Sequence, residues 1–436
     1  MKIRNKLSIL ILPAVFLIVS CNKDEDKQPE NPATPITPAV NYTTEQNKAN
    51  MESSGVEMVN NMRDMKGTDA IKVSTHLVNL MGNFSAVAKK TGAIKVLFSL
   101  SNYSKNGDLN SVYSDLRSVS SDPSSPQEAF DSIKGTYTWN GSEWTKQAGN
   151  DLVLLFPSSD NSTSNDASFT VTYLGYNGTT PFENYKGDLP YKISATIKNS
   201  NATLVAYNFE STYDEKGLPS TMNTSLDVAS YKMAVTFNHN NSNLGFNYSF
   251  KKGSEVYLDL GGDATGNFSY TNLESIAKEN TKIEEIEDLT KVANKLNVHF
   301  QAMRYIIKGD LNIQGLSDGI IAAGGSNNIN EDKAVEVINK NYALKVYDTK
   351  NNNAEVAGTE FYVETNTNTY TTQEFDSTSN SYQNVTKTET SKDLNMRLKF
   401  PDGSAADMET FFGKGFEKLQ DEVEKFATEL ENEFKK

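Results

Sequence analysis

Few residues in this chain have the type and spacing to do chemistry. Cys21 is its only cysteine, so an intramolecular disulfide and a cysteine-based zinc site, each needing at least two, are excluded. His76, His239 and His299 are the only histidines and each is alone in its neighbourhood, with no HExxH or HxH pair. There is no GxSxG elbow, no GxxxxGK(S/T) loop and no GxGxxG after a strand. Ser249-Phe250-Lys251-Lys252 has the letters of SxxK, but that chemistry needs the start of a helix and this segment alternates like a strand end. Two carboxylates flanking a sugar bond could hydrolyse it, yet with 56 acids in the chain composition selects no pair. Asp259 and Asp263 around Gly261-Gly262, with Asn267 beyond, offer oxygen ligands to calcium, as does the turn from Asp348 to Asn353. Neither has EF-hand spacing, and turns of this composition are usually only turns. No catalytic residue, metal or cofactor is assigned. Trp139 and Trp144 are the best candidates for stacking on sugar rings, because they flank one tight hairpin; the alternative is that they pair across it and close its core.

The start of the chain is more specific. Lys2, Arg4 and Lys6 precede an apolar run from Leu7 to Val19, broken only by Ser8 and Pro13. A membrane span needs roughly 20 apolar residues, so this shorter run with an acidic flank reads as a signal peptide over residues 1–20. Ile18-Val19-Ser20-Cys21 resembles the bacterial lipobox. That resemblance implies diacylglycerol on the Cys21 sulfur, cleavage before it and acylation of the new amino terminus. Each buried methylene contributes about 0.8 kcal/mol, and two or three chains make a durable membrane anchor where one binds only marginally. Cys21-Asn22-Lys23-Asp24-Glu25-Asp26 resembles the export signal of surface lipoproteins of the Bacteroidetes, which implies an outer-membrane protein facing the cell surface. Asp131-Ser132-Ile133 resembles the O-glycosylation triplet of that phylum. The resemblance covers the first 26 or so residues and no family is resembled beyond them.

Loss of the signal removes three bases and no acid, moving the formal charge from −14 to −17. Such a field repels phosphate backbones, so nucleic acid is not an expected partner. Hydrophobic content of 37% with 10% aromatics and many Asn, Ser and Thr favours strands with one wet face. No later apolar run approaches the length of a membrane span.

The elements that must position any site follow from periodicity. Residues 21–42 form an acidic tether whose Pro29, Pro32, Pro35 and Pro38 favour an extended spacer of roughly 3 Å per residue. Residues 43–130 read as mainly helical: Val56, Val59, Met62 and Met65 recur every three residues, and Ile71, Leu77, Val78, Met81 and Phe84 form a second stripe after Gly67. The methionines suit a core face or the lining of an apolar pocket. Residues 131–270 alternate with period two from Tyr137 to Leu260, between short turns such as Asn140-Gly141, Lys198–Asn201, His239–Asn243 and Lys251–Ser254, which predicts an antiparallel meander. In the mixed region 271–400 a helix is expected over 272–296, with strands at 298–307, 311–313, 344–347, 361–363 and 394–400 and a helix at 331–339. From Ala405 a long helix is expected to carry Phe412, Phe416, Leu419, Val423, Phe426, Leu430 and Phe434 against the sheet, ahead of pairing with another chain or lying on a membrane.

These readings combine into an α+β body, a large twisted antiparallel sheet with N-terminal helices and a long C-terminal helix on one face. The expected role is non-catalytic binding or assembly at the membrane, with an apolar ligand, a glycan or a protein as partner. A secreted glycan hydrolase and a structural surface protein without a small ligand are the alternatives.

Overall fold

The computed structural model describes residues 40–81, 130–131, 133–175, 190–214, 219–269, 271–272, 289–324, 330–376, 380–407, 411 and 415–434. Helices α1 (Thr44–Lys66) and α2 (Asp69–Met81) come first. Ten strands follow: β1 (Gly135–Trp139), β2 (Trp144–Gln147), β3 (Leu152–Phe156), β4 (Ala167–Gly175), β5 (Pro190–Asn199), β6 (Ala202–Tyr213), β7 (Pro219–Val228), β8 (Tyr231–His239), β9 (Asn243–Lys252) and β10 (Glu255–Gly266). Then β11 (Ala293–Ala302) and β12 (Tyr305–Asn312) precede α3 (Ile313–Ala322) and α4 (Glu331–Asn341). The chain continues through β13 (Tyr342–Asp348), β14 (Ala354–Asp376), β15 (Ser381–Lys399) and β16 (Ala405–Asp407) to α5 (Glu417–Phe434).

All sixteen strands join one sheet in the order β16 to β3 and then β1 and β2. Neighbours are antiparallel except β1 and β3, which run parallel because β2 turns back on the outer side of β1. The sheet is therefore α+β and mixed, and its strand order runs unbroken across residue 270, where β10 pairs β11. The turn residues do what their chemistry suggests. Asn240 Oδ1 accepts the N–H groups of Ser242 and Asn243, closing the β8–β9 turn, and Gly253 takes the left-handed φ of 58° that closes β9–β10.

Register puts one face of the sheet toward the helices. Partners run from Leu154 through Phe169, Ile197, Val205 and Val228 to Tyr231, and farther along from Ala264 through Leu296 and Leu311 to Tyr342. Helix α2 lays Val73, Leu77 and Met81 on β3–β5. Helices α3 and α4 cover the far end of β10–β15 with Leu316, Ile320, Ala334 and Ile338. Helix α1 places Met58, Met62 and Met65 on Tyr231, Phe250 and Tyr257, so the methionine stripe is a core face. Each fully buried apolar side chain of this size contributes about 1.5–3 kcal/mol.

Three stretches depart from expectation. The helix read over 272–296 has given way to β11 by Ala293, because Leu296 and Val298 pair on both sides, with β10 and β12, and tertiary pairing overrides the helical spacing. Ile276, Ile283 and Ile286 lie outside the described residues. Ile313, read as the end of a strand, begins α3, since Asn312 Oδ1 accepts the Gly315 N–H at 3.0 Å and caps a helix there. The final helix is shorter than expected. Pro401-Asp402-Gly403 folds the chain back so that Ala405–Asp407 pairs with β15, and α5 starts only at Glu417. Its partner is α1: Leu419 packs so closely on Gly55 that a Cβ there would lie 2.6 Å from Leu419 Cδ2, the Lys418 N–H donates to Glu52 at 2.8 Å, and Arg63 pairs with Glu422 at 3.4 Å. Val423, expected on the packed face, is 48% exposed.

Candidate functional site

Cys21 and the tether up to residue 39 lie outside the described residues. Val40 is the first described residue, and there the chain is clamped. Asn351 Oδ1 accepts the Val40 N–H at 2.8 Å while Asn351 Nδ2 donates to the Val40 carbonyl at 2.7 Å. This side chain pairs with the incoming backbone as a neighbouring strand would.

The turn that carries Asn351 is held from below. Arg304 Nε and Nη2 donate to the two oxygens of Asp348 at 2.7 and 2.6 Å, and Asp348 is fully buried. The paired carboxylate raises the Arg304 guanidinium above its ordinary pKa, with Asp348 as the leading cause. Thr349 donates both its N–H and its hydroxyl to the Arg304 carbonyl, and Asn352 and Asn353 both take a left-handed φ of 53°. The Arg304 guanidinium also sits 5.3 Å from the centre of the Tyr42 ring. Asp348, considered from sequence as an oxygen ligand for calcium, is thus a structural anchor with both carboxylate oxygens accepting from Arg304.

Beside the clamp is a cleft of about 310 Å³, at the small end of the roughly 300–1,000 Å³ in which small molecules are held. Tyr42, Val356, Phe400 and Pro401 give it apolar walls, and Asn47, Glu355 and Asp402 give it acceptors. Among the described residues no lysine, arginine or histidine lines it. Thr43 and Gln46 form the capping box that starts α1 and fixes Asn47 in its first turns. Asn47 is 5% exposed, and its Nδ2 donates to the Tyr42 carbonyl at 3.4 Å, which fixes the direction of the amide. Its Oδ1 is buried with no hydrogen-bond partner among the described residues. Leaving such an acceptor unmatched costs about 1–3 kcal/mol.

Both carboxylates of the cleft have hydrogen-bond donors. Lys345 donates to Glu355 at 2.7 Å, and hydrogen bonds from the Ser404 hydroxyl and N–H hold the Asp402 carboxyl below its ordinary pKa. A group that must donate a proton near neutrality needs the opposite shift.

Trp139 and Trp144 meet across the β1–β2 hairpin as an edge-on pair with centroids 5.3 Å apart, and both pack against the core under α2. Trp144 Nε1 donates to the Leu80 carbonyl at 3.4 Å. In the glycosylation-like triplet Asp131 is paired with Lys134 and Ile133 is buried; Ser132 lies outside the described residues. The histidines, isolated in sequence, gain partners in space. His299 Nε2 lies 3.3 Å from Asp259, His76 Nδ1 lies 3.6 Å from Asp160, and His239 Nε2 is 2.8 Å from the Phe268 carbonyl. Burial alone would raise the Asp259 pKa, but hydrogen bonds from His299 and Asn247 and the charge of Lys251 outweigh it and leave it lowered. Among the described residues no three His, Cys, Asp or Glu side chains come together as a metal site.

The cleft escaped the sequence reading because its parts lie some 300 positions apart. One signal was available: an asparagine just inside a capped helix start, where asparagine is a poor helix former and invites a second role. Comparison with protein-family models, curated proteins and solved structures finds no match.

Proposed function

We propose that this chain is a lipid-anchored protein of the bacterial outer membrane, facing the cell surface, that binds a neutral, hydroxyl-rich ligand such as the end of a glycan without transforming it. The observation that carries the reading is that Asn47, whose buried Oδ1 has no hydrogen-bond partner among the described residues, lines a cleft with further acceptors and apolar walls and, among the described residues, no cationic side chain. A sugar supplies hydroxyl donors for the acceptors and C–H faces for Tyr42, Phe400 and Pro401. A donated hydroxyl at Asn47 recovers part of the cost of leaving that oxygen unmatched. The hydrogen bonds that hold Asp402 below its ordinary pKa support binding over hydrolysis, since that carboxyl is not set up as a proton donor. Cys21 with its lipobox-like context supports the anchor.

Saturation-transfer NMR of the mature chain with a panel of neutral mono- and disaccharides tests the ligand class. The expected result is binding by at least one, weakened by about 5–150-fold in Asn47→Leu, the range implied by roughly 1–3 kcal/mol. Binding by none of the panel, or equal binding by the variant with an unchanged melting temperature, overturns it. For the anchor, labelled palmitate is expected in the wild type and not in Cys21→Ala; equal labelling removes it. Protease shaving of intact cells reports which side the body faces.

A further inference from the structure

Strands β14 and β15 pair without a break in register from Gly358↔Lys399 to Asp376↔Ser381, but their neighbours stop early. β13 reaches β14 only as far as Gly358, and β16 touches β15 only at Arg397–Lys399. One further residue of the β14 edge is covered: Asn339 of α4 accepts the Phe361 N–H and donates to the Phe361 carbonyl, both at 2.8 Å. Beyond it the two strands leave the body as a ribbon in which Glu364–Thr371 and Ser381–Asn384 are exposed throughout. At about 3.4 Å per residue the thirteen positions from Glu364 to Asp376 span roughly 44 Å. A lone two-stranded ribbon is marginal in water.

The outer edge of β14 is unusual in what it lacks. From Thr365 to Gln373 it holds nine residues with no charge, proline or glycine, five of them threonine. Edges that must stay unpaired carry lysine, proline or a bulge. β15 has such charges at Lys387, Glu389, Lys392 and Asp393, and β14 has none between Glu364 and Glu374. Because Phe361 points its N–H and carbonyl outward, the regular pleat turns those of Thr365, Thr367, Thr369, Thr371 and Gln373 outward as well. No strand or helix among the described residues pairs with them.

We infer that this edge is a self-association surface, on which β14 of a second copy adds antiparallel about Thr369. That centre follows from the pattern. A two-fold axis there sets Thr369 against its own copy, Thr367 against Thr371 and Thr365 against Gln373, so every outward backbone group meets another. It joins the two ribbons into a four-stranded sheet whose shared face is threonine, where the ribbon already places Thr367, Thr369 and Thr371 opposite Thr390, Thr388 and Thr386. A second copy is the favoured occupant because an uncharged edge offers a charged partner nothing, while two copies of a −17 chain can approach closely only where neither carries charge. At the ends Glu364 meets Glu374, and both carboxylates already have partners, Asn395 and Lys387.

Sedimentation equilibrium of the mature chain carrying Cys21→Ala tests the inference. The wild-type edge is expected to dimerise, and Thr369→Lys, which sets two lysines face to face, to raise the dimer dissociation constant by about tenfold or more. Thr388→Lys, the same charge on the inner strand, leaves it unchanged. Oxidation of Thr369→Cys gives a cross-linked dimer, since residues paired across a narrow antiparallel site have Cα atoms about 5.5 Å apart, within disulfide reach. Thr365→Cys, whose neighbour is Gln373, does not. A monomer at every concentration, a dimer that tolerates Thr369→Lys, or equal cross-linking at 365 and 369 overturns the proposal.

Discussion

Strands β14 and β15 live in two environments. Over Ala357–Val363 and Leu394–Leu398 every residue is buried or half-buried, with Phe361 2%, Leu394 3% and Leu398 3% exposed under α4 and the neighbouring strands. Over the next thirteen positions outward the same two strands keep unbroken register, and from Glu364 to Glu374 no β14 side chain is buried. The backbone ladder alone is enough to draw a ribbon, but it does not anchor one. Anchoring comes from one apolar row and what lies on it, so the two halves should answer mutation very differently.

The largest contrast is within β14 itself. Phe361→Ala removes a ring that stacks edge-on at 5.1 Å against Tyr342, whose own phenol burial pushes up to about 12, and should cost about 3–5 kcal/mol in urea unfolding. Thr367→Ala, six residues along the strand and on the same face, should stay within about 0.5 kcal/mol. Equal effects would mean that the ribbon is packed against something the inner strand is not.

Next in size is the anchor below the cleft. Asp348→Asn keeps the shape but leaves the Arg304 guanidinium, 17% exposed, without its counter-charge, and breaking a buried pair in this way costs about 3 kcal/mol. The loss should reach the cleft, because the same turn carries Asn351. Asn351→Ala is milder. It gives up two hydrogen bonds to Val40, each worth about 0.5–1.5 kcal/mol, and should be seen first as faster proteolysis next to Val40 and only second as a lower melting temperature.

The difference between the two regions also explains what was legible from sequence. Period two was readable wherever one face is buried, so Tyr191–Ile197, Tyr231–Phe237 and Leu244–Phe250 were placed as strands from their alternation. The ribbon was not, because Thr365–Thr371 alternates threonine with asparagine and tyrosine and shows no apolar period; only Phe361–Val363 and Leu394–Phe400, its rooted ends, stood out. Helix α3 was missed for a related reason. Ile313-Gln314-Gly315-Leu316 carries a glycine and follows a strand directly, and what makes it a helix is the cap from Asn312 and a seat against α4. The cleft was least legible of all. Nothing in Val40, Asn47 or Asn351 taken singly points to the other two, and their meeting depends on sixteen strands being counted correctly.

The smallest effect tests the rooted half by pH. Hydrogen bonds from Arg397 first, then from Lys399, hold the Glu360 carboxyl below its ordinary value of 4.5, opposed by a smaller burial effect. Its folded pKa lies below its unfolded one, so the stabilisation is complete above pH 4.5 and is lost as pH falls through the folded pKa. Arg397 and Lys399 are 37% and 55% exposed, so solvent screens both pairs and the amplitude is modest. Melting temperatures of the wild type and Glu360→Gln should therefore differ above pH 4.5 and converge below it. Glu374, on the outer ribbon and paired with Lys387, makes the control, because its pair is anchored to no core. Glu374→Gln should leave the melting curve of the body unmoved at every pH; a shift as large as that of Glu360→Gln would mean that ribbon and body unfold as one unit.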